Sequence, residues 1–364
     1  MWRRLAIMLS VLGSTHAFIW WRFLGAVDWP SPIGLVGTLA IAILAPSLPI
    51  TMMFGRRLSR ERAKPWLWIC YSWFGFATYL LLAAIGVQIA TAVGADARTA
   101  AEIGFAATVA VVGYGFIHVR LGPVVRRVRV PLAQLPASAD GYTIVQLTDV
   151  HVGWTIGRAY LERVVAAVEA LHPDLIVITG DLIDGSVREL QSQVEPLAKL
   201  SARDGVYAVT GNHEYYWNAD AWLAHLGSLG LRFLRNERVR IHDAFELAGS
   251  DDITSAAMAP GHGEDIARAT AGRDPALPLV LLAHHPSSIA GARAAGVDLQ
   301  LSGHTHGGQL LPLGWLSRLF EPRVAGLARF GTTWLYVSEG TGFWGPPMRI
   351  GTSCEIAAIT LARG

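Results

Sequence analysis

The amino-acid sequence predicts an α/β domain carried behind a four-helix transmembrane region. Three observations predict this architecture. The first third of the chain contains four long charge-free stretches. The rest alternates short apolar strands with amphipathic helices, the pattern of an α/β domain. Five of those strands run directly into polar clusters of metal-ligand type. Composition agrees: 52% of the 364 residues are hydrophobic and 16% are charged, against about 25% charged in an ordinary soluble domain. Such apolar content excludes a disordered chain. The two cysteines, Cys70 and Cys354, are too far apart and too few for a disulfide framework or a Cys-ligated metal. A net charge of +2 argues against a nucleic-acid polymer as partner.

The boundary is expected near residue 122, with residues 1–122 as a membrane anchor and 123–364 as the folded domain. Residues 5–21, 29–55, 65–95 and 103–119 carry no charge, and a spanning helix needs about 20 apolar residues. Pro46 and Pro49 fall inside the second stretch, where neighbouring helices can re-satisfy the freed carbonyls. Trp20, Trp21, Trp29, Trp66 and Trp68 sit near stretch ends, as interfacial aromatics do. Arg3 and Arg4 before an apolar run resemble a signal peptide, but Phe18-Ile19-Trp20-Trp21 continues that run past any cleavage point after Ala17. Residues 1–21 therefore read as a span.

Orientation follows from Lys/Arg asymmetry. Arg3 and Arg4 precede the first span. Arg56, Arg57, Arg60, Arg62 and Lys64 separate the second and third, and Arg120, Arg126, Arg127 and Arg129 follow the fourth. Only Arg22 and Arg98 fall on the other side. Both ends of the anchor, and with them the folded domain, are expected in the cytoplasm. A multi-pass protein of the inner (plasma) membrane fits this count, as does the lack of disulfides.

In the folded domain, residues 124–130 and 143–148 read as strands. Leu161, Val164, Val165, Val168 and Leu171 recur at helical spacing. Residues 175–179 are an apolar strand ending in Gly180-Asp181. A helix over 187–201 precedes strand 206–209, which ends in Gly211-Asn212-His213-Glu214. The pattern then loosens, with short strands near 231–234, 238–241 and 245–249. Residues 277–282 end in His284-His285-Pro286, and 299–301 end in Gly303-His304-Thr305-His306. Final strands are expected near 333–338 and 354–361.

Ligands in open α/β sheets bind beyond the carboxyl ends of strands. Six of the 12 histidines lie in the clusters: His151, His213, His284, His285, His304 and His306. With Asp149, Asp181 and Asn212 they make an oxygen- and nitrogen-rich donor set without sulfur. That set suits Mn, Fe, Zn or Co better than a structural Cys-zinc site. Asp149-x-His151 and His304-x-His306 use a two-residue spacing, which in extended chain puts both side chains on one side. Gly180, Gly211 and Gly303 each precede a candidate ligand, allowing a sharp turn or close backbone approach. Asp251-Asp252 also follows a strand but reads as a turn or edge position.

This series of motifs, in order and spacing, resembles the calcineurin-like metallophosphoesterase superfamily over about residues 124–362. The flanking sequences LPASADGYTIVQLTDVHVG and GHTHGGQ are similar to its membrane-associated YkuE/YaeI-type branch, and the multi-span front part to the animal transmembrane protein with a metallophosphoesterase domain. The resemblance implies a metallophosphoesterase-type β-sandwich flanked by helices, holding two divalent metal ions. It implies that Asp149, His151, Asp181 and His306 hold one metal, and that Asp181, Asn212, His284 and His304 hold the other, with Asp181 bridging. The family pattern His-x-Pro favours His284 over His285 as ligand. His213 would bind no metal and would face the leaving group or a phosphate oxygen, as a catalytic residue able to supply a proton. Asp184 and Glu214 lie beside ligands, where they would orient a histidine or stand in solvent. The implied reaction is hydrolysis of a phosphodiester or pyrophosphate by a metal-bridging hydroxide.

Within that branch a lipid-linked phosphoester such as UDP-2,3-diacylglucosamine is one implied substrate, and a soluble nucleotide or glycerophosphodiester is the competitor. A non-catalytic, metal-dependent binding or regulatory domain is the alternative function, against which the intact His213 argues. Transport fits poorly, because intramembrane ionisable residues mark ion paths and only His16 and His118 lie in the charge-free stretches. The apolar run 310–320, with Leu310, Leu311, Leu313, Trp315, Leu316, Leu319 and Phe320, reads either as core or as a rim that meets membrane lipids.

Overall fold

The computed structural model describes residues 2–54 and 60–364. Arg56 and Arg57 of the expected basic loop lie outside the described residues. The chain forms two compact units: Met1–His118 with Gly345–Ile350, and Val119–Trp344 with Gly351–Gly364.

The first unit contains the apolar helices α1 (Trp2–Trp20), α2 (Ser31–Leu44), α3 (Ser47–Phe54), α4 (Arg60–Ala92) and α5 (Ala97–Arg120). Among the described residues, four helical segments are long and apolar enough to cross a membrane: Ala6–Gly25, Ser31–Thr51, Glu61–Ala92 and Ala97–Arg120. The second is broken between α2 and α3 at Ala45-Pro46, where proline lacks the amide that would continue the ladder. The first runs further than the charge-free stretch suggested. Arg22 lies inside it, buried, with Nη2 donating to Thr91 Oγ1 at 2.6 Å. A cation expected at a flank is thus an internal one, hydrogen-bonded to a neighbouring helix.

The second unit holds two six-stranded sheets. One has the order β1 (Val124–Leu132), β12 (Glu355–Arg363), β2 (Thr143–Leu147), β3 (Leu175–Thr179), β4 (Val206–Val209), β5 (Arg232–Phe233). The other has the order β10 (Gly326–Phe330), β11 (Thr333–Val337), β9 (Leu299–Ser302), β8 (Leu279–Leu282), β7 (Phe245–Gly249), β6 (Glu237–Ile241). Strand side chains alternate between faces. In β3, Leu175 and Val177 enter a core shared with Phe245, Val280 and Leu299 of the opposite sheet. Ile176 and Ile178 enter a second core with Leu161, Val164 and Trp222. In β8, Val280 and Leu282 face the shared core, and Leu279 and Leu281 face Ile266 and Ile289. Strands buried on both faces must be apolar at every position, which is why LIVIT and LVLL show no polar alternation. Fully burying each such side chain stabilises by about 1.5–3 kcal/mol.

The outer faces are covered by helices. On the first sheet lie α6 (Arg158–Glu169), α7 (Val187–Val194) and α9 (Ala219–Ser228), the last preceded by the short α8 (Asn212–Tyr216). On the second lie α10 (Ile266–Thr270) and α11 (Ile289–Ala294). The domain is therefore a helix-flanked β-sandwich, as the motif resemblance implied. The helix expected over 187–201 stops at Val194 and tightens into a 3-10 turn, Glu195–Lys199, because Pro196 removes an amide. Strand β10 and helices α8 to α11 were not among the expected elements; α8, α10 and α11 have only 5, 5 and 6 residues, and β10 is an edge strand.

Pairings β2–β3, β3–β4 and β8–β9 are parallel. Their carboxyl ends therefore emerge together within each sheet. Buried Gln146 ties the two sheets beneath them, Nε2 donating to Thr179 Oγ1 at 2.8 Å and to the Ser302 carbonyl at 3.0 Å.

Candidate metal centre

Five strand ends converge on one site. Asp149 and His151 follow β2, Asp181 follows β3, Asn212 and His213 follow β4, His284 follows β8, and His304 and His306 follow β9. Asp149, His151, Asp181, His304 and His306 all adopt positive φ, between 51° and 70°. Such backbone is uncommon for non-glycine residues, and it persists where the surroundings hold it, typically at functional sites. Gly180 and Gly303 serve close approach. A Cβ on Gly180 would lie 2.5 Å from the Gly211 nitrogen, and one on Gly303 would overlap the Asp149 carboxylate.

The donors meet around two carboxylates. Asp149 Oδ1 lies 3.5 Å from His306 Nε2, and His306 Nε2 lies 3.0 Å from His151 Nε2. Asp181 Oδ2 lies 3.2 Å from His284 Nε2 and 3.9 Å from both His151 Nε2 and His213 Nε2. His304 Nδ1 is 3.3 Å from His284 Nε2. Among the described residues, four groups could each hold an ion with donors within 4.8 Å of one another: Asp149–His151–His306, Asp149–Asp181–His284, His284–His285–His304 and His151–Asp184–His213. Asn212 Oδ1 is buried with no hydrogen-bond partner among the described residues. An orphaned acceptor of this kind costs about 1–3 kcal/mol unless something satisfies it. That oxygen and the all-O/N donor set fit divalent metal ions.

Electrostatics point the same way. Burial pulls the His284 imidazolium down, but Asp181 outweighs it and holds its pKa well above the ordinary value. Burial raises Asp181, yet His284 and His213 bring it well below the usual carboxylate range. Asp149 is raised by burial. Asp181, held ionised by its imidazolium neighbours, is suited to a metal, which would displace their protons. His304 falls to about 3, through burial first and then its histidine neighbours, so its ring is a neutral donor.

The flanking residues have separate tasks. Asp184 accepts from His213 Nδ1 in a short hydrogen bond, which orients that ring, and lies 3.2 Å from His151 Nδ1. Burial pulls His213 down, but Asp181 and the hydrogen-bonded Asp184 outweigh it and push its pKa up to about 9. Glu214 orients no histidine and does not stand in solvent. It is buried and accepts from the amides of Asp181 at 3.0 Å, Leu182 at 2.8 Å and Gly211 at 2.7 Å. Burial and the nearby Asp181 raise it to about 7 against the pull of these amides.

His284 Nδ1 donates to the Thr179 carbonyl at 2.7 Å, which leaves Nε2 facing Asp181 at 3.2 Å, where it would offer a lone pair to a metal that displaced its proton. His285 instead stacks on His304, ring centroids 3.6 Å apart, with its Nε2 3.3 Å from Asp252 Oδ2. Asp251 pairs with Arg235 at 2.8 Å. Asp252 opens a turn after β7, as expected, its Oδ1 accepting from the Thr254 amide at 2.8 Å while Oδ2 faces His285. An aromatic wall stands beside His213, formed by Tyr216 at 5.1 Å and Trp344 at 6.0 Å between centroids.

Residues 142–308 match the family model of the calcineurin-like phosphoesterases. The transmembrane protein with metallophosphoesterase domain of Danio rerio is 39% identical, covering 78% of this chain and 67% of that one. Its namesake in Bos taurus is 42% identical over 68% of this chain. The chain spans only 59% of that bovine relative's length. The uncharacterised metallophosphoesterase YkuE of Bacillus subtilis is 30% identical over 62% of this chain and 81% of that one. The strand-end donor set and these similarities agree: the chain belongs to the calcineurin-like phosphoesterases, a family of metal-dependent phosphoester hydrolases that usually bind two divalent ions.

Proposed function

We propose that this protein is a membrane-anchored, metal-dependent phosphohydrolase that cleaves a phosphodiester or pyrophosphate bond. The observation that carries the reading is the gathering of oxygen and nitrogen donors from five strand ends around Asp181. Asp149, His151, Asp181 and His306 would hold one divalent ion, and Asp181, Asn212, His284 and His304 the other. Bound there, the ions supply Lewis acidity toward phosphoryl oxygens and a nucleophile from water at neutral pH.

The chain's own residues do the rest. Asp184 fixes His213 with its Nδ1 hydrogen-bonded, which turns Nε2 toward the site. With a pKa near 9 this ring is protonated at neutral pH. It can hand its Nε2 proton to a departing oxygen, a step worth about 10²–10⁴-fold. Glu214 holds the Gly180-Asp181 and Gly211 backbones in register through three amides. The basic segments flanking the spans support an inner-membrane topology with the domain in the cytoplasm. A domain joined directly to candidate spans favours a lipid-linked phosphoester over a freely diffusing one.

The test is hydrolysis of bis-p-nitrophenyl phosphate by the detergent-solubilised full chain, metal-stripped and reloaded with Mn²⁺, beside Asp181→Asn. Manganese-dependent turnover that disappears in the variant is expected. A folded, metal-loaded protein with no turnover would move the assignment to a metal-dependent binding domain.

A further inference from the structure

We propose that the segment following the Gly303–His306 loop is a bilayer-docking face that brings the mouth of the cavity beside the site to the plane of lipid headgroups. Leu313, Trp315, Leu316, Leu319 and Phe320 lie on or directly after one 3-10 helix, Leu313–Leu319, and all five are exposed. Leu319 is 74% and Phe320 82% exposed. Contiguous apolar surface of this kind is uncommon on soluble proteins and marks an interaction site.

The exposure belongs to a well-tied segment, not to a loose loop. Gly308 and Gly314 pack backbone to backbone, so that a Cβ on Gly308 would lie 2.7 Å from Gly314. The Gly314 amide donates to the Leu310 carbonyl at 3.0 Å, and Thr305 Oγ1 to the Val324 carbonyl at 2.6 Å. The apolar side chains are therefore held outward by the same backbone that positions His304 and His306.

The occupant we assign is a lipid bilayer. Helix α5 ends at Arg120 and β1 begins at Val124, so three residues join the domain to a candidate span. Within reach of a membrane, Leu and Phe suit the acyl region, and Trp suits the headgroup boundary. Charge agrees. Arg318 lies over the Trp315 ring, 6.0 Å from its centroid, and Arg323 is exposed nearby, where both can meet lipid phosphates. Beneath them is a cavity of about 480 Å³, lined by Gly307, Leu311, Trp315, Arg318, Arg323 and Glu339 among others. Gly307 directly follows His306. Docking would let a phosphoester in the headgroup layer approach the site without leaving the membrane.

The first test reads no activity, so it stands whether or not the phosphoesterase reading does. The full chain carrying Phe320→Cys, labelled with an environment-sensitive fluorophore, is reconstituted into phosphatidylcholine–phosphatidylglycerol vesicles with and without acyl-brominated lipid. Asp243→Cys is the exposed control, its side chain 94% accessible, and the labelled parent chain is the blank, because Cys70 and Cys354 are buried. Quenching of the Phe320→Cys label, with none at the control, is expected. No quenching beyond the control overturns the proposal. Disulfide cross-linking between copies at Phe320→Cys, without lipid quenching, overturns it in favour of a second copy as the occupant. In a second arm, Leu319→Glu with Phe320→Glu should leave bis-p-nitrophenyl phosphate hydrolysis unchanged and slow turnover of a vesicle-borne phosphodiester about tenfold. Equal loss on both substrates, or on neither, counts against docking.

Discussion

His284 donates its Nδ1 proton to the Thr179 carbonyl oxygen, 2.7 Å away at the end of β3. The bond joins a residue after one sheet's strand to the backbone of the other sheet. It also selects the tautomer, because a ring that donates through Nδ1 presents Nε2 as a lone pair. Partners of this kind orient metal-ligating histidines. His285, next in the chain, has no such partner and turns to Asp252 and the face of His304.

The two histidines should therefore separate in metal content. His284→Ala is expected to lose one of two bound ions, whereas His285→Ala keeps both with affinity reduced by about tenfold or less, the lower end for an outer partner. Elemental analysis of protein equilibrated with limiting Mn²⁺ measures this. Equal retention of two ions in both variants would refute the assignment of His284 as ligand.

Asp184 touches both His213 and His151. His213→Ala should keep its metal and lose about 10²–10⁴ in kcat. Asp184→Asn removes a charge that raises the His213 pKa. A proton donor works only while protonated, so rate falls as pH rises through its pKa. The alkaline limb of the pH–rate profile should thus move to lower pH in Asp184→Asn. Adding Asp184→Asn to His213→Ala should cost little more than His213→Ala alone.

Glu214 accepts from three amides and is buried. In Glu214→Gln the amide nitrogen cannot accept, so at least one buried N–H loses its partner, a loss of about 1–3 kcal/mol. A lower midpoint in chemical denaturation of the detergent-solubilised protein is expected, with a drop in metal affinity because the Asp181 amide is one of the three. An unchanged midpoint would mean that the clamp is not structural.

Gly303 leaves no room for a side chain. A Cβ there would overlap the Asp149 carboxylate and Thr148 Oγ1. Gly303→Ala should displace Asp149 and abolish metal binding, with about 1–3 kcal/mol of overpacking strain. The check is metal content beside the denaturation midpoint; normal metal content would show that the loop can yield.

The amino-acid sequence by itself announced apolar helices long enough to cross a membrane and an α/β fold, because charge exclusion and unbroken apolar runs are local properties. LIVIT and LVLL announce strands buried on both faces, and Asp149-x-His151 or His304-x-His306 announce donors on one side of a loop. Spans and clusters were legible for this reason. What only the tertiary structure decided depends on groups far apart in the chain. Glu214 became a backbone clamp because parallel pairing sets Gly180-Asp181 beside Gly211. The sequence separates His284 from His285 only through the His-x-Pro pattern, whereas their different hydrogen-bond partners depend on a carbonyl 105 residues away. Arg22 moved from flank to helix interior because Thr91, 69 residues on, accepts its hydrogen bond. Local pattern records which side chains must be buried or must carry charge; long-range packing decides which partner each of them meets.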